Sequence, residues 1–426
     1  MDLSVLSFAA LVAVISVSWM PRVNAGILAL GASWVIGFYL AGMPIHDVVH
    51  FFPFSLFITL FGVTLFFGLA SANGTLDRLS HLAVLAAKGK ARNLPIIFFL
   101  MALVLSTIGP GNIGAVALLA PLAMTVGKKS GISGLMMTVM LVSGANAGTF
   151  SPFAVTGIIS NGLIANLGLV MNPWTQVYLP SLLIQTGIAF VSYVVFSFYI
   201  KKKGKPLKDF DSTQLRISGE PWSPAQQWTL VAIVALVVGT VLLRADVGYL
   251  AIGLGAILTL SGAADTDEAM KIVPWSVIMM VCGLSSLIAV LEQTGGLSLF
   301  VSFLAKISNP QNVTGVMAFV AGFVSIFSSS SGVVLPTFIP TVLSLIEKIG
   351  GGNPVAVIAS INVGSHVVDV SPLSTLGALC IAAAAYHENK QKLFRHLLIY
   401  GFLMTFFGAA VCYLSFGFLD SYRFHW

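Results

Sequence analysis

Apolar residues run through this chain in long blocks, not at the three-and-four spacing of a helix with one wet face. Eight blocks, 2–20, 25–41, 52–70, 176–200, 226–243, 247–263, 273–291 and 397–417, predict spanning helices, since an α-helix needs about 20 apolar residues to cross the hydrocarbon of a bilayer. Two longer blocks, 131–165 and 353–385, are interrupted near their middles by Gly, Ser and Pro and predict broken spans. Two more, 94–126 and 312–346, carry a polar tip at their centres and predict re-entrant hairpins that enter and leave by the same side. The pattern is that of an all-α polytopic membrane protein of about ten transmembrane spans plus two hairpins.

Composition agrees and narrows the class. Of 426 residues, 57% are hydrophobic and 8% charged, and the mean hydropathy is +0.96, whereas a soluble domain carries about 25% charged residues. Too little charge is present to cover a water-facing surface, which excludes a soluble enzyme, a nucleic-acid binder and a disordered scaffold. The bilayer is the partner that the composition demands. The net charge of +6 then reports topology. With the N-terminus outside, 17 of the 21 Lys and Arg residues fall on the inner side, and only Arg244, Lys306, Lys348 and Arg423 fall outside. That split is the one that the positive-inside rule asks for, and it puts the C-terminus outside as well. The first block lacks a basic start and a small-residue cleavage site, so it reads as a span and not as a leader. Cys282, Cys380 and Cys412 sit in apolar runs without CxxC spacing and read as buried thiols.

The one long hydrophilic stretch, 201–224, divides the chain into near-equal halves, 1–200 and 225–426, and reads as a cytoplasmic linker. Each half repeats the same order: spans, a short amphipathic segment after a small-residue turn (Asn73-Gly74, Gly295-Gly296), a hairpin, a broken span and a final span. Ser106 and Pro121 frame one hairpin tip, and Ser325 and Pro340 the other. The broken spans share Ser151, Pro152, Gly157 and Ser371, Pro372, Gly377. Five crossings per half invert the second half relative to the first, and two inverted repeats with broken helices at the midplane are a mark of secondary transporters.

Four polar islands lie at membrane depth: Ser106–Gly114, Gly144–Pro152, Ser328–Gly332 and Asn362–Thr375. Irregular backbone at that depth is tolerated only inside protein or beside a water-filled cavity. N–H groups at the start of a half-helix attract anions and carbonyls at the end of the other half attract cations. Asp369 is the one acidic residue expected deep in the membrane. A carboxylate there must be matched by a proton, a cation or a partner. His366, three residues earlier, reads as a second member of a cation or proton site, or as a hydrogen-bonded core histidine. Thr149 and Asn146 are their counterparts in the first half. No Lys or Arg is expected at membrane depth, so an anionic substrate would be met by dipoles, hydroxyls and a co-bound cation, Na+ or H+.

Over essentially its whole length the chain resembles the ion-transporter superfamily. It is most similar to malonate/dicarboxylate carriers of the MatC type, relatives of the divalent-anion:sodium symporters. The resemblance is strongest in FGLASANGTLDRL (67–79), STIGPGNIGAVALLAPLA (106–123) and VDVSPLSTLGAL (368–379). It implies a homodimer in a bacterial inner membrane, with a scaffold domain and a transport domain that moves as an elevator. It also implies import of a small dicarboxylate, malonate or a C4 acid, by symport, with no covalent cofactor. The symporters' Ser-Asn-Thr tips map onto Pro110, Gly111, Asn112 and onto Ser329, Ser330, Ser331. The broken-span roles map onto Asn146, Thr149, Ser151 and onto Asp369, Ser371, Ser374, Thr375. Together with the islands this gives a substrate set of Pro110, Gly111, Asn112, Ser151, Ser329, Ser330, Ser331, Ser371, Ser374 and Thr375. The cation set is Ser106, Gly109, Asn112, Asn146, Thr149, Ser328, His366 and Asp369. Neither tip holds an intact Ser-Asn-Thr, and the acid at the second break is compatible with proton coupling.

Other readings within transport are the membrane subunit of a tripartite, binding-protein-fed carboxylate system and an oxyanion exporter of the same superfamily. An intramembrane enzyme using His366 and Asp369 would leave the repeat unexplained, and the sequence has no HExxH or GxSxG motif. The chain is therefore not expected to be an enzyme.

Overall fold

The computed structural model describes residues 2–17, 23–76, 78, 91–203, 221–243, 245–384 and 389–418. Most of the expected linker, the amphipathic segment after Gly74, and Arg22, Arg244 and Arg423 lie outside the described residues. The eight predicted spans are all helical: Leu3–Val17, Ala25–Leu40, Phe54–Ala72, Pro173–Lys203, Pro224–Leu242, Val247–Leu260, Trp275–Thr294 and Lys390–Phe418. Wide π turns extend several of them, at Val35–Leu40, Pro173–Tyr178 and Tyr413–Phe418.

Helix length alone does not separate spans from hairpin arms. Among the described residues seven helices are long and apolar enough to cross a membrane, and three of them, Ala91–Ile108, Gly111–Lys129 and Ser330–Ile349, overlap the predicted hairpins and run about three residues past their bounds. The remaining apolar helices run 10–17 residues, so the expected ten crossings are not ten long helices.

Both hairpins and both broken spans form where the polar interruptions fall. In hairpin one, Leu94–Ile108 turns at Gly109 and Pro110 into Gly111–Lys129. Gly109 and Gly111 adopt φ of 152° and 69°, a region that only glycine enters freely. In hairpin two, Val313–Phe327 gives way at Ser328 and Ser329 to a π turn, Ser330–Val334, that leads into the helical run to Ile349. Broken span one is Gly134–Gly148 and Val155–Asn166, and broken span two is Pro354–His366 and Thr375–Ala382. Side-chain caps start the first helix of each: the Ser133 hydroxyl accepts from Met136 N, and the Asn353 amide oxygen accepts from Val355 N and Ala356 N. Such caps supply partners for N–H groups that a helix start leaves open.

The two breaks share one hydrogen-bond register. Ser151 N donates to Gly148 O and Ser371 N to Val368 O; Ala154 N donates to Ser151 O and Ser374 N to Ser371 O; Gly157 N donates to Thr149 O and Gly377 N to Asp369 O. Packing is exchanged in the same way. The first arm of each hairpin packs on the first helix of the broken span of its own half, and the second arm packs on the second helix of the other half's broken span. The Ala25–Trp34 helix lies on Trp275–Thr294, and Phe54–Ala72 lies on Val247–Leu260.

Candidate functional site

The exchanged packing brings all four polar islands to one place. Asn112, at the start of the second arm of hairpin one, donates through Nδ2 to Asn146 Oδ1 at 2.8 Å. Asn146, near the end of the first helix of broken span one, donates through Nδ2 to His366 O at 2.8 Å and to Asp369 Oδ2 at 3.2 Å. Ser330, on the tip of hairpin two, donates to Asp369 Oδ1 at 2.5 Å. Asp369 is 3% exposed and Asn146 1% exposed. A carboxylate so enclosed is costly without partners, and here each oxygen has one.

Asp369 stays out of helix because the chain breaks beneath it. The helix Pro354–His366 ends three residues earlier, and Ser374 Oγ donates to Asp369 O at 2.5 Å. Tip two is seated on the same break: Ser325 Oγ donates to Ser365 O at 2.7 Å and lies 2.5 Å from Ser330 Oγ. Ser181, on the helix that follows broken span one, donates to Asn146 O at 3.2 Å. Ser181, Ser325 and Ser365 were not among the expected site residues. Ser325 and Ser365 stand in or beside polar islands, whereas Ser181 gave no signal beyond a hydroxyl in an apolar run.

Between the tips lies a cavity of about 20 Å³ lined by Asn112, Ile113, Ser328–Ser331, Asp369 and Ser374–Leu376. By this measure one water-sized sphere fills roughly 10–15 Å³, so the space suits one water or one small cation and is far too small for a dicarboxylate. Its polar lining is one carboxylate, hydroxyls and an amide, the oxygen-rich surround that hard cations take.

Of the expected residues, Asn112, Ser328, Ser329, Ser330, Ser331, Asp369, Ser374 and Thr375 meet at this cavity, and Asn146 joins it through Asp369. Pro110, Gly111 and Gly109 form the adjoining tip. The remaining expected residues have other partners. The His366 ring does not line the cavity: Nδ1 lies 3.0 Å from Asn362 O and 2.8 Å from Ser365 Oγ, and the ring stands edge-on to Phe150 at 4.7 Å. Its backbone carbonyl, not its imidazole, serves the site. Thr149 donates to Thr156 Oγ1 at 3.0 Å. Ser151 and Ser371 cap their own turns, accepting from Phe153 N and Leu373 N. Ser106 is buried against Gly148 with an unpartnered hydroxyl.

Comparison with known proteins bears on this arrangement. Residues 1–149 match the family model described as the N-terminus of the dicarboxylate carrier protein MatC, a region that includes two of the three motifs noted in the sequence. No curated protein matches the chain. Among solved structures, the YdaH transporter of Alcanivorax borkumensis is similar at a TM-score of 0.58 and 16% identity, over 89% of this chain and 88% of that one. MtrF of Neisseria gonorrhoeae is similar at a TM-score of 0.61 and 15% identity, over 98% of this chain and 96% of that one. At such identities the likeness is one of fold. The chain thus matches the MatC N-terminus model over its first 149 residues and has a helical membrane fold similar to that of these two transporters.

Proposed function

We propose that this chain is a secondary active transporter that imports a small dicarboxylate, of the malonate or C4 class, driven by a cation gradient. The observation that carries the reading is the meeting of two hairpin tips and two helix breaks on one buried carboxylate, Asp369. Asp369 bears a single charge, which one Na+ or one proton balances, and either ion fits the small cavity beside it. A dicarboxylate does not fit, so its entry requires a tip to move away from Asp369. The common register of the breaks and the exchanged packing support two inverted repeats, 1–200 and 225–426, joined by the linker 201–224. Hairpins that enter from opposite faces suit alternating access, and an elevator motion in a homodimer of the bacterial inner membrane, with both termini outside, follows from the MatC resemblance. MtrF is described as illuminating a class of antimetabolite efflux pumps, so export is the direction against which import has to be measured.

The direct test is uptake of labelled malonate and succinate into proteoliposomes, under an inward sodium gradient and separately under an inward proton gradient. Uptake driven by one ion alone identifies the coupling ion. No uptake of either acid under either gradient overturns the dicarboxylate reading and favours a binding-protein-fed subunit or another anion. Asn112→Ala and Ser330→Ala are each expected to weaken apparent substrate affinity by about 1–3 kcal/mol, the cost of leaving a buried polar partner unpaired. Unchanged affinity in both variants means that the tips do not contact substrate.

A further inference from the structure

The hydrogen bonds around Asn146 can run in only one direction. Ile113 N–H, an obligate donor, points at Asn112 Oδ1 at 2.9 Å, so Asn112 must turn its amide nitrogen to Asn146 Oδ1. Asn146 must then turn its own amide nitrogen to His366 O, an obligate acceptor, and to Asp369 Oδ2. A backbone donor at one end and a backbone carbonyl at the other lock both amides. Asp369 Oδ2 therefore faces an N–H whatever the charge on the carboxyl group. Oδ1 faces a hydroxyl, which has no such fixed polarity. Ser330 donates to an ionised Oδ1. It can instead accept from a protonated Oδ1 and turn its own hydrogen to Ser365 O, 3.2 Å away, or to Ser325. In that exchange one proton enters from solution onto Oδ1, and the Ser330 hydrogen rotates without leaving its oxygen.

We infer that Asn146 is a positioning residue that gives the two oxygens of Asp369 different tasks. Oδ2 is held permanently by the first break, and Oδ1, beside Ser330, takes the coupling proton or cation. Ion binding at Oδ1 then acts chiefly on hairpin two, while hairpin one, which lines the cavity through Asn112 and Ile113, keeps its fixed contact with Asn146. This rests on the cation-coupled reading above. Among the described residues no titratable side chain competes for the carboxylate, whose side-chain partners are Asn146 and Ser330. His366 contributes its carbonyl and turns its ring toward Phe150.

The test places single reporter cysteines at the tips, Pro110→Cys and Ser331→Cys, and measures thiol labelling with and without sodium and at two pH values. Rates are normalised to a cysteine at the exposed Gln227. The three native cysteines are buried and give little background. With Asn146 intact, saturating ion is expected to change the Ser331→Cys rate by about fivefold or more while Pro110→Cys stays within about twofold, because a ligand shifts only the equilibrium whose states it distinguishes. In an Asn146→Asp background the fixed donor is gone, and Pro110→Cys is expected to acquire an ion response. Equal responses at both tips with Asn146 intact overturn this assignment and leave coupling standing. A Pro110→Cys probe that stays silent in Asn146→Asp, with Ser331→Cys still responding, also overturns it. Silence at both tips under either ion takes down the assignment and the cation-coupled reading together.

Discussion

Asp369→Asn will fold and bind but will not couple. The substitution keeps the shape of the side chain and its contacts with Asn146 and Ser330. It removes the one charge that this enclosed site presents to an ion. A buried charge costs more to desolvate than a neutral amide that keeps the same hydrogen bonds, so the thermal midpoint is expected to hold or rise. Transport responds differently. If sodium drives transport, the apparent affinity for substrate at saturating ion should fall by about 5–150-fold, the usual range of coupling between two ligand sites; with either ion, gradient-driven accumulation should vanish. The residual activity also identifies the ion. If protons drive transport, the asparagine imitates the loaded form and the remaining binding loses its pH dependence. If sodium does, binding loses its sodium dependence and keeps its response to pH. Accumulation in Asp369→Asn with the ion dependence of the parent protein would remove this carboxylate from the mechanism.

Much of this site was legible in the sequence because polar residues inside apolar blocks are costly and therefore stand out. Asn112, Ser328–Ser331, Asn146 and Asp369 were each found as interruptions of that kind, and the structure joins them. The order of elements was legible for the same reason, since Ser-Pro followed by Gly marked both breaks. The pairing across the halves was not. Matching the repeats made Asn146 the counterpart of His366 and Thr149 that of Asp369, and the shared register of the breaks agrees, but equivalence does not give contacts. In three dimensions Asn146 bonds to Asp369 and to the His366 carbonyl, because the breaks face each other.

The His366 side chain shows why spacing alone was insufficient. A separation of three residues puts two side chains on one face only while the helix continues. Here the helix ends at His366 and Asp369 stands in the turn beyond it, so the imidazole follows the helix back toward Asn362 while the carboxylate swings to the tips. The π turns were equally hidden. At Ser330–Val334 a wide turn carries tip two onto Asp369, and apolar content does not distinguish that register from an ordinary α-helix.

The second large effect is expected from glycines that never touch a ligand. A Cβ on Gly157 would lie 2.0 Å from Ser151 O, and one on Gly377 would lie 2.0 Å from Ser371 O. In each case the obstacle is the backbone of the break itself, which no side-chain rotation can relieve. The amide of each glycine closes the break, donating to Thr149 O at 3.0 Å and to Asp369 O at 3.2 Å. Gly157→Ala and Gly377→Ala should therefore each cost at least the upper end of the ~1–3 kcal/mol typical of overpacking, lower the thermal midpoint and abolish uptake. Gly31→Ala and Gly253→Ala are the controls: both positions are helical with open space around them, and a helix-interior alanine is about 0.5–1 kcal/mol better than glycine. Gly377→Ala acts on the carbonyl of Asp369 directly, so ion dependence should fail there even in protein that survives purification. Gly157→Ala acts on the carbonyl of Thr149 and on the helix that packs against the second arm of hairpin two, so surviving protein should retain an ion response, reduced in size. Wild-type stability and transport in both variants would show that the two breaks do not need the tight turn that their common register describes.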